Sequence, residues 1–166
     1  MIIIIGPPGA GKTTFAEFLK NQLSYTAHVA SDNIKRFISE FREVHSHNKV
    51  SRNVVNAMTD EYLKNNISVI VDQNMETEEV QNLKNIADKH KIDFFIYRVE
   101  AHTNIREKRI LERTKKYNKP MMSKETMDKL LKRYEKNTYT GNIVLDSEKL
   151  SIEEMANIIL KDLKVT

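Results

Sequence analysis

Short apolar runs alternate with segments of 3.6-residue hydrophobic period along the whole chain. Ile2-Ile3-Ile4-Ile5 is an unbroken aliphatic run, the pattern of a strand buried on both faces. A helix with Phe15, Phe18, Leu19 and Leu23 inward follows, then a short strand around Ala27-His28-Val29-Ala30. The spacing next predicts a helix with Ile34, Phe37, Ile38 and Phe41 inward, a polar loop from Val44 to Lys49, and a helix carrying Val54, Val55, Met58 and Leu63. Ile67 to Val71 is the third strand, Val80, Leu83, Ile86 and Ala87 mark another helix, and Phe94 to Val99 is the fourth strand. A helix is expected from about Thr103 to Lys116. Tyr117-Asn118-Lys119-Pro120 interrupts it, and Ser123 can cap a helix through Met127, Leu130, Leu131 and Tyr134. Asn142 to Asp146 is the fifth strand, and a closing helix holds Met155, Ile158, Ile159 and Leu163. Five short strands separated by helices indicate an α/β fold with a parallel sheet covered on both faces.

The chain has 166 residues, the size of one domain, so residues 1–166 are read as a single unit. It has no cysteine, which excludes disulfides, cysteine-bound zinc, iron–sulfur clusters and thiol nucleophiles. The aliphatic run at Met1–Ile5 is far short of the ~20 residues that span a bilayer. The expectation is a soluble cytoplasmic protein without a membrane partner. Net charge is only +4, but residues 101–140 hold 12 basic against 5 acidic residues. Such a region attracts phosphates, nucleotides or nucleic acid, or is simply a solvated lysine-rich face.

Three of the four glycines fall in Gly6-Pro7-Pro8-Gly9-Ala10-Gly11-Lys12-Thr13, which fits G-x-x-x-x-G-K-[ST] without mismatch. The motif lies between a buried strand and an amphipathic helix, where backbone amides and a helix N-terminus can surround one anion. Gly9, Ala10, Gly11, Lys12, Thr13 and Thr14 are therefore the candidate ATP-binding residues. Lys12 would lie on the β- and γ-phosphates, and the Thr13 hydroxyl would bind Mg²⁺. Asp72, at the end of Val69-Ile70-Val71, is the second candidate metal group.

The guanine-reading N-K-x-D pattern is missing, because Asn48-Lys49-Val50-Ser51 and Asn118-Lys119-Pro120-Met121 both lack the aspartate. The residue after Asp72 is Gln73, a poor base for water, which disfavours a motor-type ATPase. Transfer of phosphate to an acceptor other than water remains. Asp32, at the end of the second strand, is the candidate general base, with a helix N-cap as its alternative role. Arg106, Arg109 and Arg113 recur at i, i+3 and i+7, which puts three guanidiniums on one helix face. Arg109 and Arg113 are the candidate charge stabilisers in a lid spanning about 103–125, and Arg106 is either part of it or a solvent-facing residue.

Together these motifs resemble the polynucleotide kinase-like group of P-loop kinases, which includes zeta-toxin-like and chloramphenicol phosphotransferase-like enzymes. The likeness rests on the phosphate loop, on Ala30-Ser31-Asp32-Asn33-Ile34-Lys35, on Val71-Asp72-Gln73-Asn74, on Arg109-Ile110-Leu111-Glu112-Arg113, and on Lys119-Pro120-Met121-Met122 with the helix after it. It departs at Lys35, where the group has arginine, and at Glu78-Glu79, where the group often has an arginine nearby. The resemblance implies a three-layer P-loop fold with strand order 2-3-1-4-5 and a helical lid. It further implies an Mg²⁺–ATP-dependent kinase acting on a hydroxyl, with Asp32, Lys35, Arg36 and Asn74 on the acceptor side. The acceptor is a small molecule, a nucleotide or a 5′-hydroxyl polynucleotide, and Phe37 to Phe41 offers no clear stacking platform for bases. A nucleotide-sensing module without catalysis is the competing reading. His45-Ser46-His47 reads as solvated histidines in a polar loop rather than a metal site.

Overall fold

All four side chains of β1 (Ile2–Ile5) are buried, because the strand has a parallel neighbour on each edge and helices over each face. The computed structural model describes residues 1–39, 47–116, 123–136, 138–139, 141 and 143–164, with backbone alone at 47 and 48. In chain order the elements after β1 are α1 (Lys12–Lys20), β2 (Thr26–Val29), α2 (Ser31–Lys35), α3 (His47–Lys64) and β3 (Ser68–Asp72). They continue with α4 (Thr77–His90), β4 (Phe95–Glu100), α5 (Thr103–Lys116), α6 (Lys124–Glu135), β5 (Ile143–Asp146) and α7 (Ile152–Asp162). The five strands are all parallel in the order β2-β3-β1-β4-β5. This is the expected architecture.

Side-chain alternation divides the core into two layers. Ile3, Ile5, Val69 and Val71 pack with Val55 and Leu63 of α3 and Val80, Leu83 and Ala87 of α4. Ile2, Ile4, Ile70, Tyr97 and Leu145 pack with Phe15, Ala16 and Leu19 of α1 and Met155, Ala156 and Ile159 of α7. Each buried isoleucine removed from water contributes about 2–3 kcal/mol, so β1 anchors both layers at once.

Helix starts follow their capping residues. Ser123 accepts from the Thr126 amide at 3.2 Å and opens α6. Ser151 and Glu154 satisfy each other's backbone amides at the start of α7. Two sequence expectations fail here. The helix expected through Phe37 and Ile38 ends at Lys35, leaving the Phe37 ring 86% exposed; Phe41 lies outside the described residues. The polar stretch expected as a loop to Lys49 already belongs to α3 from His47. No helix among the described residues is long and apolar enough to cross a membrane.

Candidate nucleotide-binding and phosphotransfer site

Because all strands run the same way, their C-terminal ends share one edge, where the loop of residues 6–11, Asp32, Asp72 and Ser147 meet. The β1–β3 register pairs Ile4 with Asp72, which sets the Asp72 carboxylate beside the start of α1. The Thr13 hydroxyl donates to Asp72 Oδ2 at 2.6 Å. The two expected metal groups are therefore in direct contact.

The loop conformation depends on two glycines. Gly11, the N-cap of α1, has φ of 98°, which side chains strongly disfavour. Gly9 has φ of 82°, and a Cβ there would lie 2.6 Å from the Arg106 carbonyl of α5. Helix α5 thus rests on the loop, and its side chains grip the loop's outer surface. Arg106 is only 6% exposed and donates to Pro8 O at 3.3 Å, Ala101 O at 3.1 Å and Thr103 Oγ1 at 2.9 Å. Arg109 donates to Ala10 O at 3.4 Å and to Ser147 Oγ and O, each at 2.8 Å. Ser147 Oγ also donates to Ala10 O at 2.9 Å. In a planar trans peptide the N–H points opposite the C=O. Fixing the Pro8 and Ala10 carbonyls against α5 and β5 therefore turns the Gly9 and Gly11 amides to the other side, where an anion would sit. The Ala10 amide, by contrast, donates within the loop to Pro7 O at 3.3 Å.

Lys12 donates to Pro7 O at 3.0 Å. Burial drives its ammonium down from 10.5 to about 8; the Asp72 and Asp32 carboxylates partly oppose this, and Arg113 and Arg106 push it further down. The same interactions place Asp32 and Arg113 around Lys12. Asp32 has an 82% exposed side chain whose Oδ1 accepts from Lys35 at 3.2 Å. It does not cap α2, because Ala30 is the N-cap residue and its side chain makes no cap bond. That alternative role falls away.

The three arginines of α5 all lie toward the loop, at different depths. Arg106 is buried under the loop, which corrects the solvent-facing alternative; Arg109 spans the loop and β5, and Arg113 is exposed. Of the expected acceptor residues, Lys35 holds Asp32, and Arg36 is exposed with a 3.4 Å contact to Asn33. Asn74 donates to Leu130 O at 2.5 Å and so ties β3 to α6. Its Oδ1 and Gln73 Oε1 are buried without a protein partner. Thr14 is exposed in the first turn of α1. Lid residues 117–122 and the histidine pair at 45 and 47 lie outside the described side chains.

Two contributors escape the sequence reading. Ser147 follows β5 with no motif around it. His28 of β2 has a side chain only 2% exposed; Nδ1 lies 2.8 Å from Glu17 Oε1, and Nε2 contacts Asp72 Oδ1. A histidine inside an otherwise apolar strand needs polar partners, and that signal could have found it.

Thr13, one buried carboxylate and an adjacent anion cradle suit Mg²⁺, which takes few protein ligands and keeps waters and phosphate oxygens. Among the described residues no cluster of three or more histidine, aspartate or glutamate side chains could hold a metal by itself.

The sequence profile of the AAA domain family AAA_33 matches residues 1–137. The chain belongs to that family. No curated protein matches it in sequence. Among solved structures it is similar to a candidate kinase from Chloroflexus aurantiacus, with TM-score 0.76 and 16% identity, covering 98% of this chain and 94% of that one. It is also similar to the Mycobacterium tuberculosis APS kinase in complex with AMPPNP and APS, with TM-score 0.69, 13% identity, and coverage of 98% and 96%. A third likeness is to the Pnkp1/Rnl/Hen1 RNA repair complex, with TM-score 0.66, 20% identity, and coverage of 81% of this chain but only 43% of that one. Likeness at these identities establishes the fold, a P-loop NTPase of the kinase type.

Proposed function

We propose that the chain is an Mg²⁺–ATP-dependent kinase that transfers the γ-phosphate to a hydroxyl, in the manner of the polynucleotide kinase-like group. The observation that carries this reading is the 2.6 Å Thr13–Asp72 contact at the foot of a glycine loop whose outer carbonyls are held by Arg106, Arg109 and Ser147. The bound nucleotide complex of the APS kinase and the RNA-repair setting of the Pnkp1 likeness support phosphoryl transfer as the class of reaction. Residues 1–166 act as one kinase domain, with α5 as the fixed base of a lid reaching to about residue 125.

In this mechanism Gly9 and Gly11 amides, Lys12, Thr13 and Thr14 receive the phosphates, and Thr13 and Asp72 hold the Mg²⁺. A Mg²⁺ held by these two residues would supply positive charge against the phosphate oxygens. Lys12, released from Pro7 O, pairs with the β- and γ-phosphates. Asp32 accepts the proton of the attacking hydroxyl, and Lys35 keeps its carboxylate in place beforehand. Arg113 is exposed at the mouth of the site and stabilises charge on the transferring group. Arg109 holds the loop in shape while lying 3.9 Å from the position of a Cβ on Gly11. Lys35, Arg36 and the exposed Phe37 form the acceptor side, a cationic and aromatic surface that suits an acceptor bearing a phosphate or a flat ring.

The test is transfer of labelled γ-phosphate from ATP to 5′-hydroxyl DNA and RNA, nucleosides, sugars, and aminoglycoside and phenicol antibiotics. Product on one class identifies the acceptor. Tight Mg²⁺–ATP binding with no product on any of them contradicts the kinase reading and supports a nucleotide-sensing module instead.

A further inference from the structure

His28 lies outside the phosphate loop and carries none of the roles assigned above, yet it is buried against the group expected to hold the metal. The β2–β3 register pairs His28 with Ile70, and side-chain parity places His28, Ile70 and Asp72 on the sheet face covered by α1. From that face α1 supplies Thr13 to one oxygen of Asp72, while His28 Nε2 meets the other. On its far side His28 Nδ1 meets Glu17, which also accepts from Lys20 at 2.7 Å. A continuous chain, Lys20–Glu17–His28–Asp72–Thr13, therefore links the surface of α1 to the candidate metal site.

The ring's partners are both carboxylates, which accept and do not donate when ionised. With a carboxylate oxygen beside each ring nitrogen, the imidazole is held in the plane that meets Asp72. An aspartate at a strand end otherwise turns about its χ2, a broad and nearly two-fold torsion. With one oxygen held by His28, the other is presented to Thr13 and to whatever Thr13 binds. Ligating carboxylates depend on such partners for orientation.

We infer that His28, braced by Glu17, is a positioning residue that orients the Asp72 carboxylate for Mg²⁺. This rests on the kinase reading of the same site. The substitution His28→Leu removes the hydrogen bonds while roughly keeping the volume. His28→Gln keeps an N–H donor toward Asp72. Glu17→Gln weakens the outer brace at a half-exposed position.

The experiment is calorimetric titration of ATP into each full-length protein over a range of Mg²⁺ concentrations and in EDTA, with melting temperatures measured alongside. The expected result is an Mg²⁺ requirement about 10–100-fold higher in His28→Leu, unchanged ATP affinity in EDTA, partial recovery in His28→Gln and a smaller shift in Glu17→Gln. An unchanged Mg²⁺ requirement in His28→Leu overturns the inference. So does a His28→Gln variant no better than His28→Leu, since the residue would then serve packing alone. If His28→Leu does not fold, an Mg²⁺ requirement in Glu17→Gln equal to wild type overturns it equally. A wild-type protein without Mg²⁺-dependent ATP affinity removes the kinase reading itself, an outcome distinct from variants that match a responsive wild type.

Discussion

Replacing Lys12 with methionine should abolish phosphate transfer and yet make the nucleotide-free protein more stable. Lys12 sits partly buried in a loop built for an anion, and its ammonium falls from 10.5 to about 8. At about 1.4 kcal/mol per tenfold change in proton affinity, that drop corresponds to ~3 kcal/mol against the charged form at neutral pH. Loss of the 3.0 Å contact to Pro7 O offsets part of the gain, leaving about 1–3 kcal/mol. For a chain of this size that is a rise in Tm of roughly 2–10 °C. The pH dependence follows from proton counting. Between about pH 8 and 10.5 the unfolded wild-type chain holds the Lys12 proton more tightly than the folded one, so wild-type stability rises with pH in that window. The advantage of Lys12→Met is then full below pH 8 and gone by about pH 10.5. Differential scanning calorimetry of both proteins at pH 7 and pH 10 reads this directly, and addition of Mg²⁺–ATP should raise the Tm of wild type alone. A nucleotide-free variant less stable than wild type at pH 7, or a difference that does not change with pH, means that the buried Lys12 charge does not destabilise the loop.

Three further outcomes follow. Asp32→Asn should leave ATP affinity nearly unchanged and lower transfer about 10²–10⁴-fold; titration calorimetry and single-turnover transfer measure the two, and equal transfer removes Asp32 from the mechanism. Gly9→Ala forces a Cβ to within 2.6 Å of the Arg106 carbonyl at φ of 82°, so α5 must shift, with an expected loss of about 1–3 kcal/mol in denaturant unfolding and a weaker ATP titration. Phe37→Ala should change stability by less than about 0.5 kcal/mol, because the ring is exposed, and should raise the KM of a ring-bearing acceptor about tenfold while leaving the KM for ATP alone.

The strands and the loop were legible because their signals are local. An isoleucine run with no polar break has to be buried on both faces, and G-x-x-x-x-G-K-T after such a run leaves few conformations. Thr13 and Asp72 were each legible as candidate metal groups, but their direct contact depends on the β1–β3 pairing. Helix periodicity also located α5 to the residue, but it cannot say which side of a highly charged helix turns inward. Arg106 and Arg113 looked equivalent in spacing, and only the approach of α5 to Gly9 and Pro8 separates them. Asn74 was expected on the acceptor side from the family resemblance, and its amide reaches Leu130 O of α6, a partner 56 residues away that no spacing reveals. Phe37 fits a helical stripe, but α2 stops two residues before it, so the stripe has no helix to sit on. His28 and Ser147 are single polar residues whose partners come from elsewhere in the chain; His28 is marked only by its place in a mostly apolar strand, and Ser147 by nothing around it.

The kinase proposal depends on enclosure of a triphosphate and Mg²⁺ by the residue 6–13 loop. Titration of ATP into the purified protein with and without Mg²⁺ tests it most directly. The expected result is saturable binding that tightens with Mg²⁺ and disappears in Lys12→Met; absence of Mg²⁺-dependent affinity for ATP or any other nucleoside triphosphate contradicts the kinase proposal.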